Sequence, residues 1–73
     1  MEKKVTRING NELLINSIVG KTIEDAKELA GFNGFAIRTV REDGEQFIVT
    51  MDHRMDRINI DVENGIVVAA RIG

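Results

Sequence analysis

The last third of the chain alternates in a way that leaves little choice of local structure. From Arg57 to Val62, apolar and polar residues alternate strictly, which is the pattern of a strand with one buried face. Asn64-Gly65 follows, and both residues tolerate the positive φ that a tight reversal requires. The apolar run from Ile66 to Ile72 then predicts a strand that returns antiparallel to the first. The sequence therefore predicts a β-hairpin in the last third of the chain.

The chain is short enough that we expect a single domain with one core. It has 73 residues, of which 42% are hydrophobic and 30% charged, a balance typical of globular proteins. Cysteine is absent, which excludes disulfides, thiolate metal ligands and a cysteine nucleophile. We expect residues 18–73 to form the core and residues 1–17 an N-terminal extension or a hairpin. In that hairpin, Val5 to Ile8 would pair with Glu12 to Ile15 across Asn9-Gly10.

Charge and composition argue against several classes of partner. The net charge is −2 and the pI is about 5.3, whereas a general nucleic-acid binder needs a basic face. Tryptophan and tyrosine are absent, so side chains on which bases could stack are scarce. No apolar run is long enough to span a bilayer, and no signal core follows the N-terminus. We therefore expect no nucleic-acid partner, no membrane partner, no cofactor and a monomer, either intracellular or a mature form whose leader was removed.

The middle of the chain predicts one helix followed by one strand. The helix is expected from Thr22 to Ala30, because the Thr22 hydroxyl can cap it and Asp25 occupies the capping-box position. Gly31 is expected to close the helix in the left-handed conformation. The segment from Phe35 to Arg41 predicts a strand, with one face formed by Phe35, Ile37 and Thr39.

Two structures remain open for the segment from Glu42 to Asp56. In one, Asp43-Gly44 is a hairpin turn and Gln46 to Met51 is a further strand of an antiparallel meander. In the other, the whole segment is a long exposed loop between neighbouring strands, which is uncommon in a compact domain and usually functional. The Phe-Ile-Val run at 47–49 favours a strand by propensity, but β-branched residues also stiffen an extended loop.

Three stretches of the sequence carry a resemblance to a known family. They are Ile18-Val19-Gly20-Lys21-Thr22 with Glu24-Asp25-Ala26-Lys27, then Ile48 to Arg57, and finally Arg71-Ile72-Gly73. They resemble the helix opening, the inhibitory loop and the terminus of the potato inhibitor I family of serine protease inhibitors. Arg57-Ile58-Asn59 is closest to a bacterial branch, peptidase inhibitor family seventy-eight. The resemblance implies an α+β fold in which a single helix packs on a small mixed sheet, and a long loop joins two parallel strands.

The resemblance also implies substrate-like inhibition of a serine protease. Met51 would precede the scissile bond and Asp52 would follow it, and an unbranched Met suits an apolar pocket of a subtilisin-, chymotrypsin- or elastase-like enzyme. Neighbouring subsites would be occupied by Val49, Thr50, His53 and Arg54. Such a loop binds as an added strand through main-chain hydrogen bonds. The protein would then act as an inhibitor and not as an enzyme. The alternative is a non-inhibitory protein-interaction module on the same scaffold.

In this family, scaffold arginines hold the loop from below. Arg57 matches one of them on the solvent-facing side of its strand, where its fork of donors can hold loop carbonyls or the Asp52 carboxylate. Asn59 stands where plant and leech members carry a second arginine, so its bracing role is an expectation from position. We also expect the terminal Gly73 carboxylate to pair with Arg57 or Arg71.

Two features depart from the family pattern. The family has Pro-Gly before the loop, whereas this chain has the acidic lead-in Glu42-Asp43-Gly44-Glu45-Gln46, longer by about three residues and able to loosen the loop. His53 replaces an aromatic residue two places after the bond. His53, Asp52 and Asp56 are too weak a ligand set for a metal, so we expect none.

Overall fold

Two helices pack against a four-stranded mixed sheet in the computed structural model, which describes residues 9–73. The elements are α1 (Asn11–Ile18), α2 (Ile23–Phe32), β1 (Ala36–Glu42), β2 (Glu45–Gln46), β3 (Arg57–Glu63) and β4 (Ile66–Ile72). The strand order is β2-β1-β3-β4, with β1 parallel to β3 and the other two pairs antiparallel. The predicted α+β class is confirmed. Within residues 9–73, no helix is both long and apolar enough to cross a membrane.

The C-terminal hairpin forms as its alternation predicts. Asn64 and Gly65 have φ of 51° and 77°, and the chain reverses there to pair β4 antiparallel with β3. The apolar side chains of β3 face the helices and are fully buried. Together with helix and β4 residues they form one cluster: Leu14, Ile18, Ala26, Leu29, Ala30, Ile58, Ile60, Val62 and Val67. The polar residues of β3 consequently lie on the opposite face of the sheet.

Helix α2 begins where its sequence predicts and ends later. The Asp25 N–H donates to the Thr22 hydroxyl oxygen at 3.2 Å, as an N-cap does. The prediction that Gly31 ends the helix is wrong, because α2 continues to Phe32. Gly34 adopts the left-handed conformation instead, with φ of 85°, and its N–H donates to the Gly31 carbonyl at 3.1 Å.

A second helix replaces one arm of the predicted N-terminal hairpin. Glu12 to Ile15 lies within α1, so the hairpin prediction is wrong for this arm, and Val5 to Ile8 lies outside the described residues. Leu14 and Ile18 are four residues apart, and both point into the core. The expected division between an extension and a core at residues 17 and 18 therefore falls inside a helix that belongs to the core.

The segment before the long loop combines the two structures left open by the sequence. Asp43 and Gly44, with φ of 51° and 83°, form the hairpin turn of the first alternative. The further strand from Gln46 to Met51 does not form, since β2 ends at Gln46. The parallel neighbours β1 and β3 of the second alternative are present, and residues 47–56 between β2 and β3 are irregular.

The acidic lead-in is held firmly at its turn. The Asp43 N–H donates to the Val62 carbonyl at 2.8 Å, and its carboxylate accepts from the Asn64 N–H at 2.8 Å. These bonds tie the β1–β2 turn to the end of β3. Two residues of the lead-in, Glu45 and Gln46, pair with β1, and the effect of the longer lead-in on the loop stays a prediction.

Candidate functional site

The irregular segment 47–56, called here the 47–56 loop, exposes large apolar side chains. The Met51 side chain is 96% exposed, Ile48 is fully exposed, and Met55 is also exposed. Val49 is half-buried and Thr50 is exposed. Burying such apolar side chains is worth about 1.5–3 kcal/mol each, and the fold forgoes this gain at several positions of one loop. A cluster of this kind is typical of a contact surface.

Both ends of the loop are fixed to β1. The Phe47 N–H donates to the Val40 carbonyl at 2.9 Å, which extends the β1–β2 pairing by one residue. At the other end, the Ala36 N–H donates to the Asp56 carbonyl at 2.8 Å. The loop therefore leaves and rejoins the sheet at fixed points.

Arg57 binds the loop from beneath. Its Nη2 donates to the Asp52 main-chain carbonyl at 2.8 Å, and its Nη1 lies 3.4 Å from the Asp52 carboxylate. Its Nε and Nη2 donate to the main-chain oxygen of Gly73 at 3.1 and 2.8 Å. The expected contact between Arg57 and Gly73 is thus present. Arg57 is only 8% exposed, however, so it is buried under the loop and does not face solvent as expected.

Arg38 of β1 contacts the loop on the other side of Met51. Its Nη1 donates to the Thr50 hydroxyl oxygen at 3.2 Å and lies 3.4 Å from the Thr50 carbonyl oxygen. Its Nε donates to the Asn59 amide oxygen at 2.8 Å. Asn59 is buried and was expected to brace the loop; its bond instead goes to Arg38, which reaches the loop. Arg38 was not among the predicted site residues.

Asp52 lies between the two arginines and the Thr50 hydroxyl. The hydroxyl donates to one carboxylate oxygen, which is also 3.9 Å from Arg38 Nη1. The Thr50 hydrogen bond, and then the charge and hydrogen bond of Arg57, lower the pKa of Asp52 below its ordinary value, although desolvation opposes them. The contacts of Asp52 within the ordered loop therefore favour its ionised form.

The remaining predicted site residues lie at the rim or outside the site. Arg54 forms two 2.9 Å hydrogen bonds with the Asp56 carboxylate, which lower the pKa of Asp56 and raise that of Arg54. The Arg54 N–H donates to the Gly73 oxygen at 3.2 Å, and His53 is exposed. Arg71 was expected to brace the loop, but it pairs with Asp61 at 3.5 Å on the neighbouring strand. Arg71 is paired with Asn59 in the β3–β4 register and therefore lies on the same face of the sheet as the loop anchors, but the predicted contact with the loop is not among those described for residues 9–73.

One signal in the sequence could have identified Arg38. It lies between Ile37 and Thr39, on the opposite face of β1 from the predicted core residues, as Arg57 and Asn59 do on β3. The parallel register then sets Arg38 beside Asn59. The alternation along β1 predicts on which face of the sheet Arg38 lies. Its contact with Asn59 depends on the register between β1 and β3, which only the structure gives.

The arrangement leaves the Met51 side chain exposed and holds the main chain on both sides of it. Among residues 9–73 there is no group of three or more His, Cys, Asp or Glu side chains that could bind a metal ion.

No protein-family model matches the chain, and no curated protein matches it.

Proposed function

We propose that this protein inhibits a serine endopeptidase of the subtilisin-, chymotrypsin- or elastase-like kind, with Met51-Asp52 as the reactive bond. The observation that carries the proposal is that Met51 is 96% exposed while its neighbours Thr50 and Asp52 are bound by arginines of two different strands. An exposed thioether side chain on a fixed backbone suits an apolar specificity pocket.

The bracing matters because binding must overcome the cost of ordering the loop. Fixing one backbone residue costs about 1–2 kcal/mol, so a free peptide of the same sequence loses affinity on binding. Here hydrogen bonds at both ends and around Met51 supply much of that order in advance. The preordered loop therefore binds more tightly than an ordinary substrate.

The same contacts oppose hydrolysis. The protease serine would attack the Met51 carbonyl carbon, the bond to the Asp52 nitrogen would break, and that nitrogen would take up a proton. Because Arg57 holds the Asp52 carbonyl and Thr50 remains bound to Arg38, the new amine stays beside the acyl group. It can attack the acyl-enzyme, which re-forms the peptide bond and releases the serine.

The resemblance to the potato inhibitor I family supports the proposal independently of these contacts. The Thr-Met-Asp-x-Arg-x-Asp-Arg run at residues 50–57 falls on the exposed segment, and its final arginine is the one buried beneath the loop. The observed order of α2, β1, loop, β3 and β4 also agrees with the fold that the resemblance implies.

Titration of subtilisin and chymotrypsin with the protein tests the proposal. We expect the activity of at least one enzyme to fall to near zero at a stoichiometric ratio, with intact protein recovered from the complex. If both enzymes keep full activity and digest the chain rapidly, the inhibitor proposal is wrong. A non-inhibitory interaction module would then be the better description of this scaffold.

Replacing Met51 by Lys should redirect the protein toward trypsin-like enzymes. A trypsin-like pocket binds a cationic side chain, so affinity for trypsin should rise at least about tenfold, or about 1.4 kcal/mol. The matched control is Met55→Lys, which adds the same charge at an exposed methionine of the same loop. Inhibition constants for trypsin and subtilisin provide the measurement, and equal behaviour of the two variants would show that Met51 does not occupy the pocket.

A further inference from the structure

Alternate residues of β1 contact the beginning, middle and end of the 47–56 loop. The Val40 carbonyl accepts from Phe47, and the Ala36 N–H donates to Asp56. Arg38 lies between them in the strand and reaches Thr50. One strand therefore fixes the loop at three points, and the middle one depends on a side chain.

The two arginines divide the loop at Met51. The hydrogen bonds of Arg38 to the loop go to Thr50, on the N-terminal side. Those of Arg57 go to Asp52, on the C-terminal side. Both approach the Asp52 carboxylate, but only Arg57 binds its main chain among the contacts described for residues 9–73. Each side of the Met51-Asp52 bond thus has its own anchor.

Arg38 is itself held in position. Asn59 accepts from its Nε at 2.8 Å and is only 8% exposed, so its amide has little freedom. A Cβ on residue 73 would lie 2.9 Å from the Asn59 amide nitrogen, closer than real Cβ atoms come. Gly73 therefore leaves the room in which Asn59 can orient Arg38.

We propose that Arg38, oriented by Asn59, is the positioning residue for the N-terminal side of the loop, and that it acts separately from Arg57. The inference deepens the proposed function, on which its consequences for inhibition rest. In the inhibitor, Arg38 would hold the acyl side of the reactive bond and Arg57 the amine side.

Backbone nitrogen-15 order parameters of the free protein test the division without any protease. Arg38→Gln should lower the order parameters of residues 48–50 to below about 0.6, and leave residues 52–54 ordered, because Arg57 still holds Asp52. Arg57→Lys should loosen residues 52–54 first. Arg41→Gln is the matched control, since Arg41 is an exposed arginine of the same strand and its loss changes the charge equally. Unchanged order in Arg38→Gln, or uniform loosening in both variants, would overturn the proposal.

Two further variants separate orientation from charge. Asn59→Ala should reproduce the Arg38→Gln pattern, because it removes the acceptor that fixes the guanidinium. Arg38→Lys keeps the charge but cannot donate to Asn59 and Thr50 from a planar fork, so it should also loosen residues 48–50. If Arg38→Lys keeps the loop as ordered as the native chain, charge alone suffices and the role assigned to Asn59 is wrong.

Cleavage by the inhibited protease supplies the functional readout. We expect Arg38→Gln to accelerate cleavage of the Met51-Asp52 bond about tenfold, with Arg41→Gln unchanged, as measured by mass spectrometry. If the native chain inhibits no protease, yet Arg38→Gln and Arg57→Lys loosen different sides of the loop, the inhibitor proposal is wrong and the positioning role of Arg38 stands. If the native chain inhibits a protease, and Arg38→Gln changes neither the order of the loop nor its cleavage, only the positioning role of Arg38 is wrong.

Discussion

The two buried polar residues within residues 9–73 belong to the contacts that hold the exposed loop, Arg57 directly and Asn59 through Arg38. Arg57 and Asn59 are each 8% exposed, in a chain of 73 residues whose other buried residues are apolar within the described range. Burying a charge is costly unless it is well paired, and apolar replacements of buried ion pairs are often as stable or more so. Here Arg57 is satisfied by Asp52 and Gly73. The burial of Arg57 is therefore better explained by its contacts with the loop than by a contribution to the free energy of unfolding.

The order of the loop should depend on acid pH through Asp52. Its pKa is lowered in the folded protein, so ionised Asp52 stabilises the loop above its unfolded pKa of about 3.9. That contribution is lost as the pH falls through the lower, folded pKa. We expect the amide signals of residues 50–52 to broaden or shift in this range, as followed by NMR.

Thr50→Val is the control for this pH dependence. It removes the hydroxyl that contributes most to the shift, so the pKa of Asp52 should rise toward its ordinary value. An Asp52 carboxyl that titrates at or above about 3.9 in the native protein would contradict the assignment.

The exposure of Met51 and the contact of Arg57 with the loop were predictable, because the family resemblance includes both residues in one continuous run of sequence. The contact of Arg38 with Thr50 depends on the register of β1 against β3 and on a guanidinium crossing between strands. No local pattern specifies such a contact, and Arg71 shows the reverse case, because its position predicted a contact with the loop whereas the ion pair described for it is with Asp61.

At the scale of elements, strict patterns predicted correctly and short apolar runs did not. The β3–β4 hairpin has alternation and an Asn-Gly turn, and both strands form as expected. The run Leu13-Leu14-Ile15 suits a strand or a helix, and such runs cannot be distinguished by periodicity alone. Leu14 and Ile18 are spaced as on one face of a helix, and the segment is helical in the structure.

The role of α1 in the core predicts a clear difference in stability. Ile18→Ala should lower the free energy of unfolding by about 2–5 kcal/mol, because Ile18 is completely buried in the main cluster. Leu13→Ala, in the same helix, should cost far less, since Leu13 is 59% exposed. Urea denaturation measures both. Equal and small effects would mean that α1 does not contribute to the core.

At the scale of the whole molecule, the sheet separates two kinds of interior. On one side, the helices cover an apolar cluster that includes Ile58, Ile60 and Val62. On the other, Arg57 is buried against the loop, and Asn59 is buried beside Arg38 and Gly73. Because β3 contributes alternate residues to both, the core fixes the strand that carries the polar anchors. Stability and loop position are thereby assigned to opposite faces of the same strand.

This separation predicts different outcomes for two glycine substitutions. Gly73→Ala should displace the Asn59 amide, because the new Cβ would lie 2.9 Å from it, and should loosen residues 48–50 with the core left intact. Gly31→Ala meets nothing within 4 Å in α2 and should stabilise the fold by about 0.4–1 kcal/mol with no effect on the loop. Order parameters and thermal unfolding check both. A Gly73→Ala variant with a fully ordered loop would show that Asn59 has room to move.

The apolar cluster takes none of its members from residues 47–56. Substitutions at Ile48, Met51 or Met55 therefore leave this apolar cluster untouched, provided that Thr50 and Asp52 still reach their arginines. The side chains that this segment exposes can therefore be exchanged without disturbing the interior of the fold.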